Sequence, residues 1–266
     1  MEIVAGQVPD EFWTTLARAR KRVLFLDYDG TLAPFQIERD KAVPYPGVME
    51  FLARIVLSGT RVVIISGRSI SEVISLINLK PIPEIWGSHG LERLLTGGTL
   101  EKTQLSNVIQ AGLEEAASVA KHWLPSERIE FKHGCLALHW RGMSEGEIEG
   151  IVENVEPAWR ILAESSDLNL HRFDGGIELR APGRDKGTAV KKVLEETDVG
   201  LVAAYLGDDL TDEDGFRVVN EKNGLSILVR SEFRETSARI WLRPPEELLA
   251  FFATWLRNGE RETGGA

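Results

Sequence analysis

Short unbroken apolar runs recur along the chain, and each is followed at once by small or acidic residues. Val23-Leu24-Phe25-Leu26 leads into Asp27-Tyr28-Asp29-Gly30-Thr31, and Val62-Val63-Ile64-Ile65 into Ser66-Gly67-Arg68-Ser69. Ile85-Trp86 leads into Gly87-Ser88-His89-Gly90, and Leu201 to Leu206 into Gly207-Asp208-Asp209. Runs this short, apolar at every position, predict strands buried on both faces, as in parallel sheets covered by helices. Between them apolar residues return at helical spacing. Helices are predicted over Pro9–Arg22, Gly47–Ser58, a segment capped by Ser69 or Ser71 and ending at Ile77, Lys186–Glu196, a segment ending at Val219, and Pro244–Leu256. The stretch from Leu32 to Pro46, rich in proline and charge, reads as a loop.

The rhythm changes in the middle of the chain. A long helix is predicted over Leu105–Trp123 and a hairpin about His133-Gly134. Another helix follows over Ser144–Trp159, then further strands over Arg160–Arg180. The whole predicts an α/β protein. Its core is a doubly wound, mostly parallel (Rossmann-like) sheet over residues 1–93 and 180–266, and an α+β unit is inserted over 94–179. The polar tail, Gly259 to Ala266, reads as mobile.

The net charge of -10 argues against a nucleic-acid partner, whose phosphates favour a basic surface. It also means that an anionic substrate would have to be attracted locally. No apolar run approaches the ~20 residues of a membrane span. The first ten residues lack the basic and apolar regions of a signal peptide, and Cys135 is the only cysteine. Together these suggest a cytoplasmic chain with no membrane partner, which we expect to be monomeric.

Ligands of open α/β sheets bind at the carboxyl ends of the strands. Here those ends carry Asp27 and Asp29, Ser66, and Asp208 and Asp209, with Lys186 opening the helix before the last strand. Two unit charges about 4 Å apart repel by roughly 4 kcal/mol near a surface. Carboxylates brought together this way therefore want a hard cation. Mg²⁺ fits, since it takes oxygen ligands and commonly shares its coordination with a substrate phosphate. Such a set suits phosphoryl transfer. One aspartate attacks phosphorus, a lysine and the backbone amides near Gly30 hold the phosphate oxygens, and the second aspartate moves protons. Taken alone, Asp-x-Asp-Gly is equally a turn sequence. Asp212 and Glu213 fall in the first turn of a helix, where acids are favourable anyway, so they read equally as structural and as functional acids. Gly67, Arg68 and His89 are further candidates for contact with substrate, Arg68 through phosphate or through an acid of the insert.

These motifs resemble those of the haloacid dehalogenase-like phosphatase superfamily. Asp27-Tyr28-Asp29-Gly30-Thr31 matches its first motif, Ser66 its second, Lys186 its third and Gly207-Asp208-Asp209 its fourth. The resemblance implies that Asp27 is the nucleophile and Asp29 the acid/base, that Ser66 and Lys186 bind phosphate, and that Asp27, Asp29 and Asp208 hold Mg²⁺ with Asp209 beside them. An insert between the second and third motifs resembles the large cap of sugar-phosphate members. Gly87-Ser88-His89-Gly90-Leu91-Glu92, Ile129-Glu130-Phe131-Lys132, Leu138-His139-Trp140-Arg141 and Gly176-Ile177-Glu178-Leu179-Arg180 are similar to the trehalose-6-phosphate phosphatase family. By that similarity Glu130, Lys132 and Glu178 hold sugar hydroxyls. Trp140 stands where tyrosine is expected, and Ala181 interrupts an expected Arg-Pro pair.

Other readings carry less. Ser88-His89 lacks the Gly-x-Ser-x-Gly elbow of a serine hydrolase, Lys186-Gly187-Thr188 has the wrong order for a P-loop, and the five histidines show no zinc spacing. The alternatives that remain are a phosphatase for another sugar phosphate (sucrose phosphate or a glucosylglycerol-type phosphate), a phosphomutase, and a regulatory module without turnover.

Overall fold

The computed structural model describes residues 4–36, 38–173, 175–197 and 200–259; the tail beyond residue 259 lies outside them. The chain divides into two compact units, residues 1–101 with 185–266, and residues 102–184. In chain order the strands are β1 (Val4–Ala5), β2 (Lys21–Leu26), β3 (Arg61–Ile65), β4 (Glu84–Gly87), β5 (Glu92–Leu94) and β6 (Leu100–Lys102). Then come β7 (Ile129–Lys132), β8 (Cys135–His139), β9 (Asn169–Phe173) and β10 (Gly176–Arg180), followed by β11 (Leu201–Gly207), β12 (Leu225–Val229) and β13 (Ile240–Leu242).

The first unit is built on a nine-stranded sheet in the order β1-β13-β12-β11-β2-β3-β4-β5-β6. It is parallel from β1 to β4 and turns antiparallel at β5. Alternation along each strand sorts side chains to two cores. Leu24, Leu26, Val62, Ile64 and Ile85 join a core with residues of the helices Val48–Leu57 and Glu246–Gly259. Val23, Phe25, Val63, Ile65 and Trp86 join another with the helices Lys186–Glu195 and Glu213–Glu221. Helices on both faces explain why these strands are apolar at every position.

The second unit carries an antiparallel sheet in the order β7-β8-β10-β9. Its helices are Asn107–Lys121, Glu145–Asn154 and Glu156–Ser165. The one helix expected over Ser144–Trp159 is thus two. Pro157 stands in the first turn of the second, where its missing N–H costs nothing, and that helix runs on through residues expected to be extended. The expected division at 94 and 179 also moves. The chain continues past Leu94 through a turn, in which Gly98 N donates to Leu95 O at 2.8 Å, into β6. On the return Ala181 N still donates to Gly134 O at 2.8 Å. Among the described residues no helix is long and apolar enough to cross a membrane.

Candidate active site

The first unit gathers its chemistry at the carboxyl ends of β2, β3 and β11. Asp27 follows β2, and its amide donates to Leu206 O at 2.9 Å, continuing the pairing with β11. The helix carrying Lys186 begins at that residue, with Asp185 as its cap. Lys186 Nζ donates to Asp27 Oδ1 at 2.5 Å and to Asp212 Oδ1 at 2.7 Å. Thr31 Oγ1 donates to the other oxygen of Asp27 at 3.2 Å. Tyr205 Oη also donates to Asp212 Oδ1, at 2.6 Å, and the amides of Asp208 and Asp209 donate to Asp212 Oδ2 at 3.1 and 3.0 Å.

Asp27, Asp208 and Asp212 each offer an oxygen within 4.8 Å of the others, and all three are buried. Three carboxylates beside one ammonium leave an excess of negative charge. Burial pushes the Asp27 carboxyl up to about 7, helped by Asp212 and Asp29 and opposed by Lys186. Burial, then Asp27 and Asp212, push Asp208 well above the usual carboxylate range. Burial works against the charge of Lys186, but Asp212 and Asp27 outweigh it and hold the ammonium above the usual lysine range.

The three acids are not equivalent. A carboxylate has about four lone-pair sites. Asp212 spends its own on Lys186, Tyr205 and two amides, so it orients its neighbours. Asp208 Oδ1 is buried without a hydrogen-bond partner. An orphaned carboxylate oxygen among all-oxygen donors carrying net negative charge fits Mg²⁺. Gly30, at φ +85, lies against it: a β-carbon there would collide with the Asp208 carboxylate. Asp209 is outside the cluster, because its Oδ1 caps the following turn by accepting from Leu210 N at 2.7 Å.

Asp29 is half-buried and gripped by Arg68, with Nε to Oδ2 and Nη2 to Oδ1 both at 2.7 Å. The guanidinium lies 5.5 Å from the centre of the Tyr28 ring. Arg68 therefore engages an acid of its own unit. Ser66 Oγ accepts from Arg68 N at 3.1 Å. This loop rests on the one after β4: His89 N donates to Ser66 O at 3.1 Å and Ser88 N to Arg68 O at 2.7 Å. Ser88 and His89 both hold left-handed backbone, φ 50 and 56, a strained arrangement that only fixed surroundings sustain. The His89 ring lies where a side chain on Gly67 would be, since a β-carbon there would stand 2.6 Å from Cε1.

The second unit has its own charged cluster. Glu130 on β7 and Glu178 on β10 both pair with Ala137 of β8, and Lys132 and Arg180 both pair with Cys135. Across β7, β8 and β10 one face of this sheet thus carries four charged groups standing either side of two small residues. Lys132 Nζ lies 3.3 Å from Glu178 Oε1 and 3.6 Å from Glu130 Oε2. Arg180 Nε and Nη2 donate to Glu178 Oε2 at 2.8 and 2.6 Å, and His139 Nε2 lies 2.9 Å from Glu130 Oε2.

Comparison with known proteins decides the family. The trehalose-phosphatase family model matches residues 25–243, which takes in β3 to β13, the Asp27 and Lys186 segments and the whole second unit. The chain belongs to the trehalose-phosphatase family. It is a phosphatase, as its curated relatives are. Trehalose-phosphate phosphatase B of Arabidopsis thaliana is 30% identical over 268 residues, covering 94% of this chain and 70% of the relative. A trehalose-phosphate phosphatase of Mycobacterium leprae is 32% identical over 252 residues, covering 88% of this chain and 57% of the relative. In fold, the chain is similar to the C-terminal domain of C. albicans trehalose-6-phosphate phosphatase, with TM-score 0.77 at 21% identity, covering 93% of this chain and 96% of that domain.

Of the positions singled out from sequence, Asp27, Gly30, Lys186 and Asp208 meet around the acidic cluster. Asp29, Ser66, Gly67, Arg68 and His89 form a bonded group at the ends of β2, β3 and β4. Glu130, Lys132 and Glu178 meet in the second unit. Tyr205 is not among these positions, and Asp212 reads in the sequence equally as a functional acid and as a helix-turn acid. The sole signal for Asp212 is its place four residues after Asp208 in a turn.

Proposed function

We propose that this chain is a Mg²⁺-dependent phosphatase that hydrolyses trehalose 6-phosphate to trehalose and phosphate through an aspartyl-phosphate on Asp27. The observation that carries the reading is the buried Asp27–Lys186–Asp212 array beside the unpartnered Asp208 oxygen. Asp27, the Asp29 carbonyl and Asp208 would hold the metal, with Asp209 beside them. Mg²⁺ supplies Lewis-acid stabilisation of charge on the phosphoryl oxygens.

Lys186 and Thr31, each donating to one oxygen of Asp27, hold its carboxylate so that one oxygen faces phosphorus. A bond forms between that oxygen and phosphorus as the bond from phosphorus to the sugar oxygen breaks. Asp29 gives its proton to the departing oxygen, and trehalose leaves. A water then attacks phosphorus, Asp29 takes its proton, and the bond between phosphorus and Asp27 breaks. Ser66, Lys186 and the amides around Gly30 and Gly67 hold the phosphoryl oxygens. Glu130, Lys132 and Glu178 hold the sugar, with the second unit acting as a cap that excludes water. The enzyme would act as a cytoplasmic monomer on a small sugar phosphate, with neither nucleic acid nor membrane as partner.

The test is phosphate release across a panel of sugar phosphates, with and without Mg²⁺. Preference for trehalose 6-phosphate, lost on chelation, is expected. Preference for sucrose phosphate or a glucosylglycerol-type phosphate would overturn the substrate. Return of phosphate to the sugar without net release would make the enzyme a mutase.

A further inference from the structure

The main-chain polar groups of Asp208 and Asp209 are gripped from two sides. Both amides donate to Asp212 Oδ2. Both carbonyls accept from one guanidinium: Arg234 Nε reaches Asp208 O at 3.1 Å, and Nη2 reaches Asp209 O at 2.7 Å. Arg234 belongs to the segment between β12 and β13 and to none of the sequence motifs. Its remaining nitrogen, Nη1, donates to Glu213 Oε1 at 2.6 Å. Glu213 is itself fixed, since Thr236 Oγ1 donates to Oε1 at 2.7 Å, and the amide and hydroxyl of Ser237 donate to Oε2 at 2.8 and 2.5 Å. Both members of the pair are largely buried, with side chains 16% and 12% exposed.

We infer that Arg234 is a positioning residue for the metal site. It fixes the Asp208–Asp209 peptide through its carbonyls and so sets the aim of the Asp208 carboxylate. The inference rests on the reading that Asp208 helps to hold Mg²⁺. Asp208 Oδ1 has no partner of its own, so its direction comes from the main chain. A planar guanidinium presents donors at fixed spacing and can span two successive carbonyls, which the single ammonium of lysine cannot do as rigidly. Arg230 Nη1 stands 3.5 Å from the Asp208 carbonyl, a much weaker second hold. Partners behind a metal ligand commonly set affinity by 10–100-fold, although they never touch the ion.

The test uses the whole enzyme without substrate, titrating Mg²⁺ while following the melting temperature, and then phosphate release at saturating Mg²⁺. Arg234→Ala is expected to raise the Mg²⁺ midpoint by about 10-fold or more, and Arg234→Lys by an intermediate factor. KM for trehalose 6-phosphate should stay within about twofold once Mg²⁺ saturates, because the sugar contacts are untouched. Arg217→Ala, an exposed arginine on the following helix, should leave the midpoint in place. An Arg234→Ala enzyme that melts lower without Mg²⁺ yet keeps the wild-type midpoint would overturn the inference, showing a merely structural tie. If Arg234→Ala does not fold, Arg234→Lys decides, and a wild-type midpoint there overturns it. A wild-type enzyme that does not respond to Mg²⁺ overturns the metal reading itself.

Discussion

Asp27 and Asp29 are two residues apart but live in different electrostatic surroundings. Asp27 is buried and tied to an ammonium; Asp29 is half-exposed and tied to a guanidinium. In the proposed mechanism the first of them attacks, so Asp27→Asn should reduce turnover to background while circular dichroism stays native; near-normal phosphate release would remove Asp27 as nucleophile. The contact of Gly67 with His89 makes a second residue-scale prediction. Gly67→Ala should destabilise the protein by driving a methyl into the imidazole, and adding His89→Ala should restore part of the loss. Denaturant midpoints in a double-mutant cycle measure this, and strictly additive effects would mean that the ring does not brace the loop. The two-residue spacing of Asp27 and Asp29 was plain in the sequence. The choice among Asp208, Asp209 and Asp212 was not, because that stretch is a tight turn. There the direction of each carboxylate depends on which amides it accepts from. The Arg68 fork on Asp29 and the Arg234 clamp join segments far apart in the chain, and no local pattern announces them.

Regular elements were the most legible part, since apolar runs and helical spacing follow directly from which faces are buried. The break after Asn154 is hidden in the sequence because apolar spacing continues across it, and Pro157 reads as a stop only when taken for an interior residue. Two elements make predictions. On the β7–β8–β10 face Glu178 is nearly sealed, bonded by Arg180 and close to Lys132. If Glu178 holds sugar as proposed, Glu178→Ala should weaken use of trehalose 6-phosphate far more than use of a small generic phosphate ester; equal loss on both would overturn that role. The helix that begins at Lys186 is fastened at its other end by Glu196, which accepts from Arg93 at 2.8 and 2.5 Å and from Arg61 at 3.0 Å. The hydrogen bonds from Arg93, with help from Arg61, hold the Glu196 carboxyl at about 2. A carboxylate whose folded value is depressed stabilises the fold above its unfolded value near 4.5, and that stability is lost as pH falls from there toward 2. The stability gap between wild type and Glu196→Gln, measured by denaturant midpoint, should be present at pH 7 and shrink below pH 4.5. A gap independent of pH would mean that the carboxylate charge contributes nothing.

Across the whole molecule Cys135 provides a reporter. It is fully buried, and burial, followed by the nearby charge of Glu178, pushes its thiol up to about 12. Since only the thiolate reacts readily, alkylation at neutral pH should be negligible in the native enzyme and should appear with unfolding of the second unit; rapid native labelling would contradict this burial. The central pairing of β2 with β11 has a consequence for how the chain is made. Asp27 and Lys186 come together only when a strand near the start of the chain meets one that begins at Leu201, after the whole second unit has been passed. Contacts so distant in sequence are slow to form, because loop closure precedes any gain from packing. During synthesis β2, apolar on both faces, must therefore wait with one edge unpaired until Leu201–Gly207 emerges. A chain that stalls or is cut before that point lacks the buried Lys186–Asp27 pair and exposes an apolar strand edge open to aggregation.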